Sequence, residues 1–287
     1  MALHRTNINL MSSEIPSTAT PINRNPPPSN RQLLIILGLF IGFIVGVIWL
    51  FGLLINSLVW VIPPSVEKQL GAVIVPAYEQ LAKPSPAQET LNQLLDKLET
   101  KLPQQVRQER DYRVLYLPGD TVNALALPGD RIIIYAGLLK QIESENELMM
   151  VLGHELGHFA HRDHLRSLVR QLIFPIAIAT IFGDAGGLSS IAASGVEAVS
   201  NSQFSQSQES QADEFGLTLL QNTYGHVAGA TDFFARMSRQ KGVNFDFLTT
   251  HPAPGRRVKE LQRLIEQKNY PVKERSPLPE TLSNLKE

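Results

Sequence analysis

Five consecutive residues carry the plainest chemistry in the chain: His154-Glu155-Leu156-Gly157-His158. Residues four apart share a helix face, so His154 and His158 can turn both imidazoles toward one metal ion. Glu155 stands beside them, where a carboxylate can take the proton of a water that the metal activates. Two ligands do not complete a catalytic zinc site, which uses three protein ligands and keeps one position open. A second acidic stretch, Glu209-Ser210-Gln211-Ala212-Asp213, can supply more. Glu209, Ala212, Asp213 and Gly216 fall on one helix face. Glu209 could bind the metal. Asp213, one turn later, could accept a hydrogen bond from the outer nitrogen of a ligand histidine and so fix its ring. Ala212 and Gly216 are small enough to let this helix lie close against the motif helix. Glu214 points elsewhere. The competing reading is an acidic, solvated helix face.

Composition narrows the remaining possibilities. The 287 residues hold 27 acidic and 26 basic side chains, for a net charge of −1. No basic stripe is visible, so no nucleic-acid partner is expected. The absence of cysteine excludes disulfides, thiolate ligands and a cysteine nucleophile. Any metal must sit on His, Asp or Glu, which favours a catalytic over a closed structural zinc site.

The motif needs a helix to hold it. Ser144 and Glu147 fit a capping box, and Leu148, Val151, Leu152, Leu156 and Phe159 continue the helix from there. His161, Arg162, Asp163 and His164 read as its polar end rather than as ligands. Upstream, the leucines from Gln88 to Leu102 have helical periodicity, closed by Pro103. Tyr112 to Leu117, Leu125 to Leu127 and Arg131 to Tyr135 read as short strands around Pro128-Gly129-Asp130. Such a sheet can receive an extended peptide along its edge. Asn123 either caps a turn or binds a substrate backbone. Leu172 to Phe182 and Ile191 to Val199 are apolar but too short to span a bilayer, and a Gly-rich joint at Gly183 to Gly187 separates them. Gly255 to Gln267 is helical by spacing. The tail from Asn269 is Pro-rich, polar and expected to be peripheral.

Leu33 to Ile55 is an almost unbroken apolar run, and no charge occurs between Arg31 and Glu67. One transmembrane helix is the expectation, with Trp60 in the aromatic belt and Pro63-Pro64 ending it. A cleaved signal peptide fits less well, because the run is long, begins late and lacks a small-residue cleavage pattern. Arg24 and Arg31 precede it, which favours a cytoplasmic N-terminus and a C-terminal domain in the periplasm of a Gram-negative-type bacterium. Gly38, Gly42 and Gly46 repeat at a spacing that can bring two such helices together, or they are simply glycines of a membrane helix.

Four separated features together make a specific resemblance: Asn123 to Gly129, the His154-to-His158 motif, Glu209 through Asp213, and Thr250-His251-Pro252 with Arg257. In order and spacing the chain resembles the HtpX and CAAX-prenyl-protease family of membrane-associated zinc metallopeptidases. It is most like the extracytoplasmic bacterial members with a single anchor. The resemblance implies His154, His158 and Glu209 as zinc ligands, Glu155 as catalytic base and Asp213 as their support. It also makes His251 and Arg257 site candidates. His251 could approach the zinc or the reaction oxyanion, and Arg257 could pair with a site carboxylate or hold a substrate carbonyl. A zinc-bound His251 would fill the open position and suppress activity. Asp130 departs from the family pattern, where a second glycine is common. Long spans in the middle segment are also missing, which disfavours prenyl-peptide processing.

The expected fold is therefore α+β: a mostly helical, gluzincin-type metallopeptidase domain with a small antiparallel sheet, behind one transmembrane helix. The expected organisation is a disordered tail at 1–31, an anchor at 32–62, a linker or domain start at 63–88, the peptidase domain at 89–268 and a C-terminal tail at 269–287. The expected function is zinc-dependent cleavage of misfolded or misassembled envelope proteins, with one Zn(2+) per subunit and protein or peptide substrates. The alternative is an anchored chaperone or assembly factor whose zinc site is latent or structural.

Overall fold

A computed structural model describes residues 27–173, 191–239 and 245–286. The chain divides into two compact units, Met1–Phe51 and Gly52–Glu287. Helix α1 (Asn30–Val61) is, among the described residues, the one helix long and apolar enough to cross a membrane. Its 32 residues give a length of about 48 Å. Gly38, Gly42 and Gly46 have nothing within 4 Å of the positions a Cβ would take.

The second unit begins its own structure at once. Helix α2 (Pro64–Glu79) lies in the stretch read as linker or domain start, and it buries Glu67, Gly71, Ile74, Val75 and Tyr78. Helix α3 (Pro86–Glu99) buries the predicted leucines 91, 94, 95 and 98. A short α4 (Gln104–Arg107) leads to strands β1 (Arg113–Leu117), β2 (Ala124–Leu127) and β3 (Arg131–Tyr135). The sheet is small and its order is β1-β3-β2. Its antiparallel part is the β2–β3 hairpin, with Ala124 opposite Ile134 and Leu127 opposite Arg131. β1 joins β3 in parallel, with Arg113 opposite Arg131, a pairing that local strand patterns cannot reveal.

The hairpin turn explains the departure at position 130. Asp130 has φ +62°, the left-handed conformation that glycine adopts most easily. Its carboxylate offsets the strain by accepting from Arg110 Nη1 at 2.6 Å and from Asp111 N at 3.2 Å. The preceding Gly129 lies so close to α2 that a Cβ there would come within 3.1 Å of Gly71 Cα.

After α5 (Ala136–Gln141), helix α6 (Glu145–Ala160) carries the motif through the core. Ser144 Oγ accepts from Glu147 N, as a cap should. The reciprocal half of the box does not form. Glu147 accepts from Glu143 N instead, and Arg236 and Arg275 share its carboxylate. Helix α7 (Asp163–Leu168) and a π-turn (Val169–Ile173) follow. Then come α8 (Ile191–Ser200), α9 (Gln206–Tyr224), α10 (Asp232–Arg239), α11 (Asp246–Thr250), α12 (Pro254–Gln267) and α13 (Glu280–Ser283). Most of the middle apolar segment and its Gly-rich joint lie outside the described residues, as does most of the N-terminal tail.

The C-terminal tail is not peripheral. Ser144 and Pro277 form a bridge, Glu145 N donates to Ser276 O, and Leu282 is fully buried. Proline and polar side chains made the tail look solvated, but its backbone straps the start of α6.

Candidate metal centre

α6 and α9 cross at a contact without large side chains. A Cβ on Gly157 would come within 2.7 Å of Ala212 Cα, and one on Gly216 within 2.9 Å of His154 N. The small residues at 212 and 216 thus permit the close approach expected of them. This contact sets Glu209 opposite the two motif histidines.

Four side chains converge there: His154, His158, Glu209 and His251. His154 Nε2 lies 3.1 Å from His158 Nε2 and 3.2 Å from His251 Nδ1. Glu209 Oε1 lies 3.0 Å from His251 Nδ1 and 3.5 Å from His158 Nε2. Zn–N bonds of 2.0–2.1 Å in a tetrahedron require ligand atoms about 3.3 Å apart, so the spacing fits such an ion. The donor set fits as well. His158 Nδ1 is 3.0 Å from Asp163 Oδ2, and His154 Nδ1 is 2.9 Å from Asp213 Oδ1. Asp163 holds the His158 Nδ1 as a donor and leaves its Nε2 facing the cluster, while His154 Nδ1 lies between Asp213 and Arg257 Nη2, the latter at 3.1 Å.

The electrostatics set the two motif histidines apart. Burial pulls the His158 imidazole down, but Asp163 and Glu209 outweigh it and raise its pKa to about 10. His154 goes the other way, to about 4, through burial and the charge of Arg257. Burial raises the Glu209 carboxyl, yet Arg257 and His251 hold it well below its ordinary range. Arg257 is itself buried, with Nε and Nη2 donating to Asp213 at 2.8 and 2.6 Å. Its Nη1 lies 2.8 Å from Glu209 Oε2, and its guanidinium stacks 4.0 Å over Phe234. Of its two expected roles, pairing with site carboxylates is the one these contacts match.

Glu155 is fully buried, and neither of its carboxylate oxygens has a hydrogen-bond partner among the described residues. His251 Nε2 is 3.6 Å away from it. The His251 ring therefore stands between the ligand atoms and the expected base. Asn123 lies at the same edge: its Oδ1 accepts from Thr250 Oγ1 at 3.3 Å and from Ala124 N at 2.9 Å. That couples the start of β2 to the residue before His251. His161 and His164 stay out of the cluster. His161 Nδ1 meets Gly157 O, and His164 Nε2 lies 2.8 Å from Glu67 Oε1.

Three contributors escaped the sequence reading. By sequence alone Asp163 belongs to the polar end of the motif helix. Phe204 stacks on His158 with ring centroids 3.9 Å apart, and Phe247 stacks on His251 at 4.4 Å. A carboxylate just past the motif helix does not by itself mark Asp163 as a histidine partner, and the two phenylalanines resemble any core aromatic.

Helical packing, a His-Glu-x-x-His face and a carboxylate from a neighbouring helix define the site of a zinc metallopeptidase. The chain belongs to peptidase family M48, whose family model matches residues 86–265. Among curated relatives, the metalloprotease LoiP of Escherichia coli is 31% identical over 158 residues, covering 53% of this chain and 61% of that protein. A putative beta-barrel assembly-enhancing protease of Vibrio cholerae is 27% identical, covering 65% of this chain and 41% of its own. The mitochondrial metalloendopeptidase OMA1 of Homo sapiens is 27% identical, covering 51% and 31%. The chain thus spans between about a third and three-fifths of these relatives' lengths. The likeness supports the M48 family broadly and does not single out its HtpX branch.

Proposed function

We propose that this chain is a membrane-anchored zinc endopeptidase that holds one zinc ion per subunit on His154, His158 and Glu209. Glu155 carries the reading. A buried carboxylate without a partner is costly, and it is retained where a reacting group completes its bonding. Zinc bound beside it would supply Lewis acidity and lower the pKa of a water. Glu155 then accepts the proton of the attacking water and returns it to the leaving amine. Arg257 keeps Glu209 and Asp213 ionised and in place. Gln88 and Asn92 bond to the backbone of Val114 and Tyr116 along β1. An extended substrate would therefore have to use the other edge, β2 beginning at Asn123, whose residues are buried in this structure.

The envelope setting is part of the same proposal. Its supports are α1, the charges flanking it, and two bacterial relatives named as a metalloprotease and a beta-barrel assembly-enhancing protease. The substrates are then misfolded or misassembled proteins, and the C-terminal domain is periplasmic, tethered to a bacterial inner membrane. Self-association through Gly38, Gly42 and Gly46 rests on spacing alone.

One observation favours a second state. His251 joins the ligand cluster with zero exposure. With His251 as fourth ligand the open position is filled, and the site is latent until the segment after α11 moves. The alternative of a chaperone or assembly factor with a latent site draws on the same geometry.

Zinc content and casein hydrolysis, measured on wild type and Glu155→Gln, separate these readings. The peptidase reading expects one zinc in both proteins and cleavage by wild type alone. Equal cleavage by the two would sink the role of Glu155. Metal without cleavage in wild type selects the latent form, and neither metal nor cleavage removes the metallopeptidase reading.

A further inference from the structure

Between the end of α1 and the metal centre lies a face that neither ligands nor base use. α2 begins at Pro64, with only Ile62 and Pro63 between it and Val61. Its periodicity separates two flanks beside the buried face. Lys68, Ala72 and Glu79 make a mixed, exposed flank. Val66, Leu70, Val73 and Ala77 recur at helical spacing on the other. Val66 is 40% exposed and Val73 46%, while Leu70 packs partly against Val59, Leu165 and Val169. Leu81, just past the helix, is 58% exposed. At the end of α1, Trp60 and Val61 are 56% and 75% exposed. Exposed apolar residues gathered on one helix flank in this way mark an interaction surface.

A basic row borders it. Arg162 at the left-handed turn before α7, Arg166 within α7 and Arg170 in the π-turn stand four residues apart, with Arg166 Nη1 also donating to Asp163 Oδ1 at 2.6 Å. Arg162 Nη1 donates to Val59 O at 2.8 Å and to Ile62 O at 2.6 Å, closing the carbonyl end of α1. The guanidinium carbons of Arg162 and Arg166 lie 5.8 and 5.7 Å from the Trp60 ring. Arg170 is exposed.

We propose that this face, the apolar flank of α2 with the corner of Trp60, Arg162, Arg166 and Arg170, docks on the anionic headgroups of the bilayer that α1 crosses. Continuity is the first argument. Two residues reach at most about 7 Å, so α2 follows directly on the end of the apolar helix. Charge is the second. Arginines beside an interfacial tryptophan match acidic headgroups, while an apolar strip between them matches the acyl boundary. Docking also bears on the site. Arg162 is followed by Asp163, whose carboxylate orients His158, so the contact would fix the height of the metal helix above the lipid. That consequence rests on the peptidase reading; the docking itself does not.

The chain has no cysteine, so single labels can be placed cleanly. Full-length Val66→Cys and Val73→Cys, with Lys68→Cys and Glu79→Cys as controls, each carry one fluorophore. They are reconstituted in phosphatidylcholine vesicles with and without phosphatidylglycerol, and a lipid-borne quencher is added. Strong quenching at 66 and 73 over 68 and 79, greater in the anionic vesicles, is expected. Arg170→Glu should shift the docked-to-free ratio by at least roughly fivefold, the worth of one arginine near such a surface. Equal quenching at all four positions overturns the proposal. So does shielding of 66 and 73 that persists in detergent with crosslinks between copies, which would mark a dimer face. Zinc content and casein hydrolysis of the labelled proteins report on the peptidase reading separately.

Discussion

Asp163 stands just past the turn that ends the metal helix, and its hydrogen bond decides how His158 faces the cluster. Removing it should loosen the ring without touching a ligand. Asp163→Ala is expected to weaken zinc binding about 10- to 100-fold, read by competition with a chelator. An unchanged affinity would show that Phe204 alone orients His158. His251 makes the opposite prediction. If its ring closes the open position, His251→Ala should raise casein hydrolysis on the order of tenfold, as expected when a closed state populated ten to one is released. A fall in rate would mean that His251 serves the reaction itself. Much of this centre was legible in the sequence, because His154, His158, Glu209 and Asp213 obey helical spacing. Asp163 was not, since it reaches His158 only after the chain turns back through a left-handed residue, Arg162 at φ +57°. Phe204 was hidden because it lies in the loop before α9, far in sequence from the histidine it stacks on.

At the level of elements, the α6–α9 contact is the part that most constrains the site. Gly157→Ala would press a methyl within 2.7 Å of backbone that cannot yield easily. It should separate the helices and lower both zinc content and stability, the latter by about 1–3 kcal/mol in denaturant unfolding. An unperturbed melt would show that the helices part freely. A second linkage joins α2, the β2–β3 turn and α7. Glu67 accepts from Arg110 Nη1 at 2.7 Å and lies 2.8 Å from His164 Nε2. Burial raises its carboxyl, but His164 and Arg110 prevail and bring the pKa down from 4.5 to about 2. A depressed carboxyl stabilises the fold above its unfolded pKa. That contribution is complete above about pH 4.5 and fades as pH falls toward about 2. Glu67→Gln should therefore cost stability at pH 7 and flatten the acid limb over that window. A wild-type acid limb in the variant would place the linkage elsewhere. The helix at 86–99, the motif helix, the helix after Pro254 and the three strands were readable from periodicity. The insertion of β3 between β1 and β2 was not, because strand order depends on contacts that short patterns do not encode.

For the whole molecule, what the sequence concealed is how the two ends of the domain are tied in. The anchor announced itself through an unbroken apolar run, but α2 looked like a linker because Pro and Ala dilute its pattern. The C-terminal tail looked solvated for the same kind of reason: prolines interrupt its periodicity, and its fixed points are backbone groups. Val227 N donates to Pro271 O, Glu145 N to Ser276 O, and Ser276 N to Asn146 Oδ1 at 2.7 Å. Thr281 Oγ1 meets Thr90 Oγ1 at 2.7 Å, and Leu282 fills a fully buried site in the main core. These bonds brace α3 and the start of α6 against each other, so the end of the chain supports the helix that presents His154 and His158. Leu282→Ala should lower unfolding free energy by about 2–5 kcal/mol, as expected for a leucine removed from a packed core. The variant should still bind zinc at low temperature and lose it together with the fold on warming. A tail that merely rests on the surface would leave the unfolding midpoint where it is, and the strap would then play no part in holding the metal helix.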